Sequence, residues 1–378
     1  MTPPAYSLRQ LIVYFLKLGT IGFGGPVALV EYMRRDLVER RGWIAEEDYR
    51  DGLALSQLAP GPLAAQLAIY IGFVDYRILG ATAAGLAFVA PSFVMVVALG
   101  WAYVRFGGLP WMQAVFYGVG ACVIGIIALS AYRLTRRSVG RGRLLLAIWL
   151  GAAVVTAVTE SEEVLLFLAA GVLTWLVQRR GRPAGATAPV LLITPLSATF
   201  SLADPALLEK MLGFFAYAGT FVFGSGLAIV PFLYGGVVKN YGWLTDRQFL
   251  DAVAVALITP GPVVITTGFI GYLLAGLTGA IIAAAATFLP AYVLTVIPAP
   301  YFRKYGRQPG IAAFVDGVTA AAIGALSGAV VVLGRRSIVD LPTALLALVT
   351  VALLWRWKVP EPILIFAAAL IGLLIFPG

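Results

Sequence analysis

The chain carries one unit twice. Phe23-Gly24-Gly25 recurs as Phe223-Gly224-Ser225, Gly42-Trp43 as Gly242-Trp243, Asp51 as Asp251, and Pro60-Gly61-Pro62 as Pro260-Gly261-Pro262, all at an offset of 200 residues. After a one-residue slip the offset is 199. Ile71-Gly72 then answers Ile270-Gly271, Pro91 answers Pro290, Gly118-Val119 answers Gly317-Val318, and Gly125 answers Gly324. Chance similarity between apolar segments does not hold register at Gly, Pro, Trp and Asp for this long. The fold must therefore be two copies of one design.

Composition says what kind of design. Of 378 residues 61% are apolar and 12% are charged, about half the charge of a soluble domain. There is too little charge to coat a soluble surface, so the chain reads as an all-α polytopic membrane protein in contact with the lipid bilayer. Lys and Arg number 27 against 18 Asp and Glu, an excess that cytoplasmic loops account for without nucleic acid. The one cysteine, Cys122, excludes an internal disulfide and a cysteine-based metal site. The absence of histidine removes the commonest metal ligand and proton shuttle. No cofactor is implied, and Met1 to Leu18 lacks a cleavable-signal pattern.

Crossing the hydrocarbon takes about 20 apolar residues. Uncharged runs give six hydrophobic segments per half, with residues 1–178 as the first transmembrane repeat, 179–206 as a linker that is not expected to span, and 207–378 as the second repeat. Basic residues then set orientation. In the first half Arg133, Arg136, Arg137, Arg141, Arg143, Arg179, Arg180 and Arg182 oppose only Arg105. In the second half Arg335 and Arg336 oppose Arg303, Lys304, Arg307, Arg356 and Lys358. The bias reverses, which predicts repeats inverted in the membrane. Inversion without a spanning linker needs an odd number of crossings per half, so one segment should enter and return. The segment broken by Pro-Gly-Pro is the natural choice. The alternative is six full spans per half plus a spanning linker.

Two prolines around a glycine remove two backbone donors and permit a sharp turn, so the helix must break at Pro60-Gly61-Pro62 and at Pro260-Gly261-Pro262. Broken backbone in a membrane is tolerated against protein or a cavity. The half-helix after each break offers free N–H groups and a positive dipole end to an anion. Gln57 and Gln66 flank the first break; Thr259, Thr266 and Thr267 flank the second. Gly24, Gly25, Gly224 and Ser225 form the other matched pair of breaks. Together these are the candidate substrate-binding residues. Arg34 and Arg35 are candidate guides for an anion, within a stretch that otherwise reads as an amphipathic helix at the headgroups. Asp51, Asp251 and Asp316 are the carboxylates available for proton coupling. Asp51 and Asp251 lie roughly 13 Å of helix before their breaks.

Phe23-Gly24-Gly25-Pro26, the stretch from Arg34 to Trp43, and Leu55-Ser56-Gln57-Leu58-Ala59-Pro60-Gly61-Pro62 resemble the chromate ion transporter family in its long, two-domain form. The resemblance covers nearly the whole chain. It implies export of chromate across the bacterial cytoplasmic (inner) membrane, driven by protons, by repeats of opposite topology. Two departures stand out. Many members carry a histidine shortly after the first motif, where this chain is apolar around Leu29. The second copy reads Phe-Gly-Ser-Gly and loses its proline. The expected substrate is chromate or a tetrahedral oxyanion like it, such as sulfate. A homodimer is left open. The alternatives are an uncoupled anion channel or a transporter of another small anion. An intramembrane enzyme is disfavoured because neither His-Glu-x-x-His nor Gly-x-Ser-x-Gly occurs.

Overall fold

The structure is a computed structural model that describes residues 6–23, 25–106, 109–140, 142–160, 164–179, 204–222, 226–302, 309–357 and 359–376. Gly24, Gly224, Ser225 and most of the linker (180–203) lie outside the described residues. So do seven of the charges used for orientation: Arg141, Arg180, Arg182, Arg303, Lys304, Arg307 and Lys358. Among the described residues there are fourteen α-helices and no strand. Four helical stretches are long and apolar enough to cross a membrane: Leu63–Phe106, Trp111–Val139, Val263–Tyr301 and Gly310–Ser337.

The first repeat opens with α1 (Leu8–Ile21) and α2 (Gly25–Met33), which runs on into a π-helical turn, Arg34–Arg40. Ser7 and Gln10 cap α1 reciprocally, satisfying two end donors at once. The two helices fold back on each other. Tyr6 stacks on Trp43 with ring centres 5.0 Å apart, Arg41 lies over the Tyr14 and Trp43 rings, and Tyr14 Oη donates to Tyr32 O. The start of α1 and the end of the α2 segment thus share one end of the molecule. This hairpin was not expected. Its reason is length: α1 has 14 residues, about 21 Å of helix, too short for a hydrocarbon core of about 30 Å.

A second hairpin follows at Pro-Gly-Pro. α3 (Glu46–Leu58) stops because Ala59, which precedes Pro60, is extended (φ −80°, ψ 140°), as residues before proline prefer. Gly61 has φ +144°, a conformation that suits glycine alone. α4 (Leu63–Phe106) begins at once. Gly52 of α3 meets the Tyr70 ring of α4, equally far in sequence from Gly61, so α3 and the first arm of α4 run antiparallel. Arg77 (φ 51°, ψ −139°) then turns α4. Its second arm packs on the first where Gly72 and Gly80 approach too closely for any Cβ. The repeat is completed by α5 (Pro110–Leu134, extended by a π-helical turn Thr135–Val139), α6 (Arg143–Thr159) and α7 (Val164–Arg179).

The second repeat rebuilds this order. α8 (Pro205–Thr220) is followed by a 3₁₀ turn Gly226–Ala228, α9 (Ile229–Leu233) and a π-helical turn Tyr234–Asn240. α10 (Asp246–Ile258) leads through Thr259 (φ −87°, ψ 140°) and Gly261 (φ +96°) to a 3₁₀ turn Val263–Ile265 and α11 (Thr266–Val296). Gly276 (φ +57°) turns α11 where Arg77 turns α4. α12 (Pro309–Ser337), α13 (Leu341–Arg356) and α14 (Glu361–Ile375) close the chain.

The halves interlock through small residues. Gly324 of α12 fits against Trp149 and Ala152 of α6, and Gly317 fits against Ala170 and Thr174 of α7. The mirrored contacts are Gly125 of α5 on Ala347 and Thr350 of α13, and Gly118 on Ala368 and Gly372 of α14. Gly19 of α1 reaches the Phe88 carbonyl of α4, and Gly219 of α8 reaches the Thr287 carbonyl of α11. Small residues at these crossings allow the backbone approach on which helix association in lipid depends. The largest buried cluster among the described residues draws on both repeats, from Val119 to Ala131 on one side and from Phe249 to Ile270 on the other.

Candidate functional site

Reciprocal backbone bonds join the two Pro-Gly-Pro tips to the opposite repeats. The Gly61 N–H donates to Val222 O at 2.5 Å, just past α8, and the Gly261 N–H donates to Gly22 O at 3.1 Å, just past α1. Each tip therefore rests on the break that ends the other repeat's first helix. Ser92, on the second arm of α4, donates to Pro260 O at 2.6 Å and abuts Gly261. Its counterpart Ala291, on α11, abuts Gly61.

Immediately after each tip lie backbone donors without acceptors. In α4 the first N–H to bond is that of Gln66, to Pro62 O. The N–H groups of Leu63, Ala64 and Ala65 have no acceptor among the described residues. In the second repeat Ile265 N–H bonds Pro262 O, leaving Val263 and Val264 in the same position. These five residues are at most 9% exposed. A buried donor left unpaired costs about 1–3 kcal/mol, and a helix N-terminus adds about half a positive charge. A buried site whose spare backbone groups are donors is suited to an anion.

The side chains expected here divide. Gln66 is fully buried and its Nε2 donates to Pro60 O at 2.9 Å, folding the side chain back over the first turn of α4. Thr259, Thr266 and Thr267 are buried, but their hydroxyls donate to Ala256 O, Val263 O and Val264 O. Their hydrogens are spent on their own backbone, so they are not the donors the sequence suggested. Gln57 is exposed. Gly25 begins α2 with φ +73°, while Gly24, Gly224 and Ser225 fall outside the described residues.

The charged candidates lie farther out. Arg34 pairs with Glu39 at 2.8 Å and with Glu46 at 3.4 Å; Arg35 pairs with Asp36 at 3.2 Å and lies over the Tyr32 ring. Both are part-exposed, and Arg34 is nine residues of helix from Gly25, about 13 Å. Arg9, Lys17 and Arg41 line a surface cavity of ≈ 530 Å³ beside Trp43, a basic vestibule that sequence reading did not single out. Asp51 is 5% and Asp251 3% exposed, both inside helices, so neither serves as a helix cap. Tyr103 of α4 donates to Asp251 Oδ2 at 2.7 Å. The counterpart of Tyr103 is Phe302, packed by Leu55 and Tyr70, which has no hydroxyl to offer Asp51. Asp316 is exposed on α12, apart from the tips.

Sequence reading also missed an ionic cluster across the repeats. Glu160, after α6, bonds Lys239 and, at 2.6 Å, Arg336 at the end of α12. Arg336 also bonds Asp246 and Tyr234. Lys239, then Arg336, hold the Glu160 carboxyl below the usual carboxylate range. The signal for Ser92 and Tyr103 is a polar residue in one repeat where the other has an apolar one, Ala291 and Phe302.

An all-α bundle of long apolar helices, some of them broken inside the bundle, fits one class, the integral membrane transporters. The chain belongs to the chromate transporter family, whose sequence profile matches residues 9–175 and 210–373. It is 66% identical to the chromate transport protein of Cupriavidus metallidurans, over 100% of this chain and 95% of that one. It is 59% identical to a probable chromate transport protein of Synechococcus elongatus (99% and 97% covered) and 32% identical to the chromate transport protein of Pseudomonas aeruginosa (100% and 94% covered). These relatives are transporters, not enzymes. No solved structure matches the chain.

Proposed function

We propose that the chain exports chromate, or a tetrahedral oxyanion like it such as sulfate, across the bacterial inner membrane with coupling to protons. The observation that carries this reading is the set of buried N–H groups at Leu63, Ala64, Ala65, Val263 and Val264 that have no acceptor among the described residues. They sit on two tips tied to opposite repeats, and broken helices of this kind are where secondary transporters bind substrate. Asp251, buried and bonded by Tyr103, is the carboxylate best placed to couple protons. Proteoliposomes holding the purified chain should show saturable flux of labelled chromate, enhanced by an imposed pH gradient and competed by sulfate. Absence of saturable flux would overturn the reading; flux indifferent to the gradient would remove the coupling.

The reading includes two repeats of opposite orientation. Three contacts support it. Gly324 meets Trp149, Gly328 meets Ala153, and Arg336 meets Glu160, so α12 runs parallel to α6. α6 follows α5 through a short turn, and α12 is the repeat mate of α5. The repeat mates α5 and α12 then run in opposite directions. With Cys122 replaced, single cysteines at exposed Ser138 and Val339 should be labelled by impermeant reagents from opposite sides of the membrane. Labelling of both from one side would end the inverted arrangement.

A further inference from the structure

We infer that the site is shaped for the singly protonated form of the oxyanion, a monoanion carrying one O–H, in preference to the dianion. This rests on the tips being the anion site and goes on to specify the ligand. The first observation is Gln66. Its Oε1 is buried and has no hydrogen-bond partner among the described residues, while its Nε2 donates to Pro60 O. The amide cannot be turned round, because a carbonyl such as Pro60 O accepts and never donates. Oε1 is therefore fixed as an acceptor beside the first turn of α4, where every other spare group is a donor. A fully deprotonated oxyanion has no hydrogen for it. A hydrogen oxyanion does, and its remaining oxygens still take the N–H groups and the second hydrogen of Nε2.

The second observation is charge. The neighbours that meet this tip are Ala291, from α11, and Val222, just past α8, and neither is charged. Ser92 and Pro260 stand at the other tip and are neutral. Asp51 lies nine residues before Pro60 on α3 and Asp75 nine after Gln66 on α4, each about 13 Å of helix. Asp251, bonded by Tyr103 and with Arg247 one turn before it, lies nine residues before Pro260 along α10. No Lys or Arg lies between Asp51 and Asp75 or between Asp251 and Phe302. The positive potential at the two tips is then that of two helix N-termini, together about one elementary charge. That balances a monoanion and leaves a dianion with a net charge buried in the membrane, which is costly.

The test is equilibrium binding of labelled chromate and labelled sulfate to the purified full-length protein across pH. Chromate takes up a proton near neutral pH, much as a phosphate monoester does at about 6; sulfate stays a dianion throughout. If only the monoanion binds, apparent affinity follows its fraction. Chromate binding should tighten about ten-fold as pH falls by two units across that proton's pKa, with sulfate weaker and flat. Gln66→Leu should remove most of that pH dependence, and Asp251→Asn should keep it. Flat chromate binding in the wild type would overturn the inference while leaving the anion site standing. So would a pH dependence that survives in Gln66→Leu and vanishes in Asp251→Asn. Should Gln66→Leu fail to fold, the wild-type comparison of the two anions decides alone. No saturable binding of either anion would sink the anion site itself, and the inference with it.

Discussion

Gly61→Ala and Gly261→Ala are each expected to weaken chromate binding ten- to a hundred-fold while the protein still inserts and purifies as one species. Both glycines have positive φ, +144° and +96°, where a side chain strains the turn. A Cβ on Gly61 would come within 2.6 Å of the Gln66 amide carbon and 2.7 Å of Ala291. One on Gly261 would run into the Ser92 hydroxyl. In each case the tip must move, and the N–H groups behind it move too. Losing one hydrogen bond to a charged group costs about 1.5–3 kcal/mol, which is the stated range in affinity. The two substitutions are also separable. Ser92→Ala should partly restore Gly261→Ala, whose clash it relieves, and should do nothing for Gly61→Ala. Binding isotherms on the single and double variants check this. Unchanged affinity in both well-folded glycine variants would move the site elsewhere, most directly to the Gly25 and Arg34 region.

Asp251→Asn is expected to abolish accumulation driven by a pH gradient and to leave chromate exchange between equal pools intact. A buried carboxylate bonded by one tyrosine across the repeats is able to take up and release a proton as its surroundings change. An amide of the same shape keeps an acceptor for Tyr103 and loses the titration. Tyr103→Phe should reduce accumulation without abolishing it, because the carboxylate stays. Asp51→Asn and Asp316→Asn should have smaller effects, Asp316 being exposed and remote from the tips. Normal gradient-driven accumulation in Asp251→Asn would place the coupling on another group.

Much of this architecture could be read before any coordinate, and the reasons are specific. Gly, Pro and Trp hold their register because they fix backbone or packing, so the duplication and the break at Pro60-Gly61-Pro62 stand out in one sequence. Composition settles the membrane because lipid-facing helices cannot carry charge. The hairpin of α1 on α2 was hidden because nothing local tells a short membrane helix from a whole one; it shows when Tyr6 is found on Trp43. Thr259, Thr266 and Thr267 looked like donors by residue type, but a hydroxyl bonds the carbonyl one turn back when the helix offers it. Ser92 and Tyr103 were passed over because their partners, Pro260 and Asp251, lie more than a hundred residues away, and only comparison of the two repeats marks them. Gln66 was legible as a polar residue in an apolar run. Its unpaired oxygen was not, since that depends on which atom Pro60 takes.

The central claim is that the anion is held between the two Pro-Gly-Pro tips by backbone N–H groups, and the most direct measurement is the position of chromium in the protein soaked or grown with chromate. Anomalous scattering locates the metal without reference to the surrounding density. The account predicts a chromium peak whose oxygens lie about 3 Å from the N–H groups of Leu63 to Ala65, of Val263 and Val264, or of both sets, with Gln66 beside it. A peak beside Arg34 and Arg35, or in the basic cavity of Arg9, Lys17 and Arg41, with none at the tips, would contradict it.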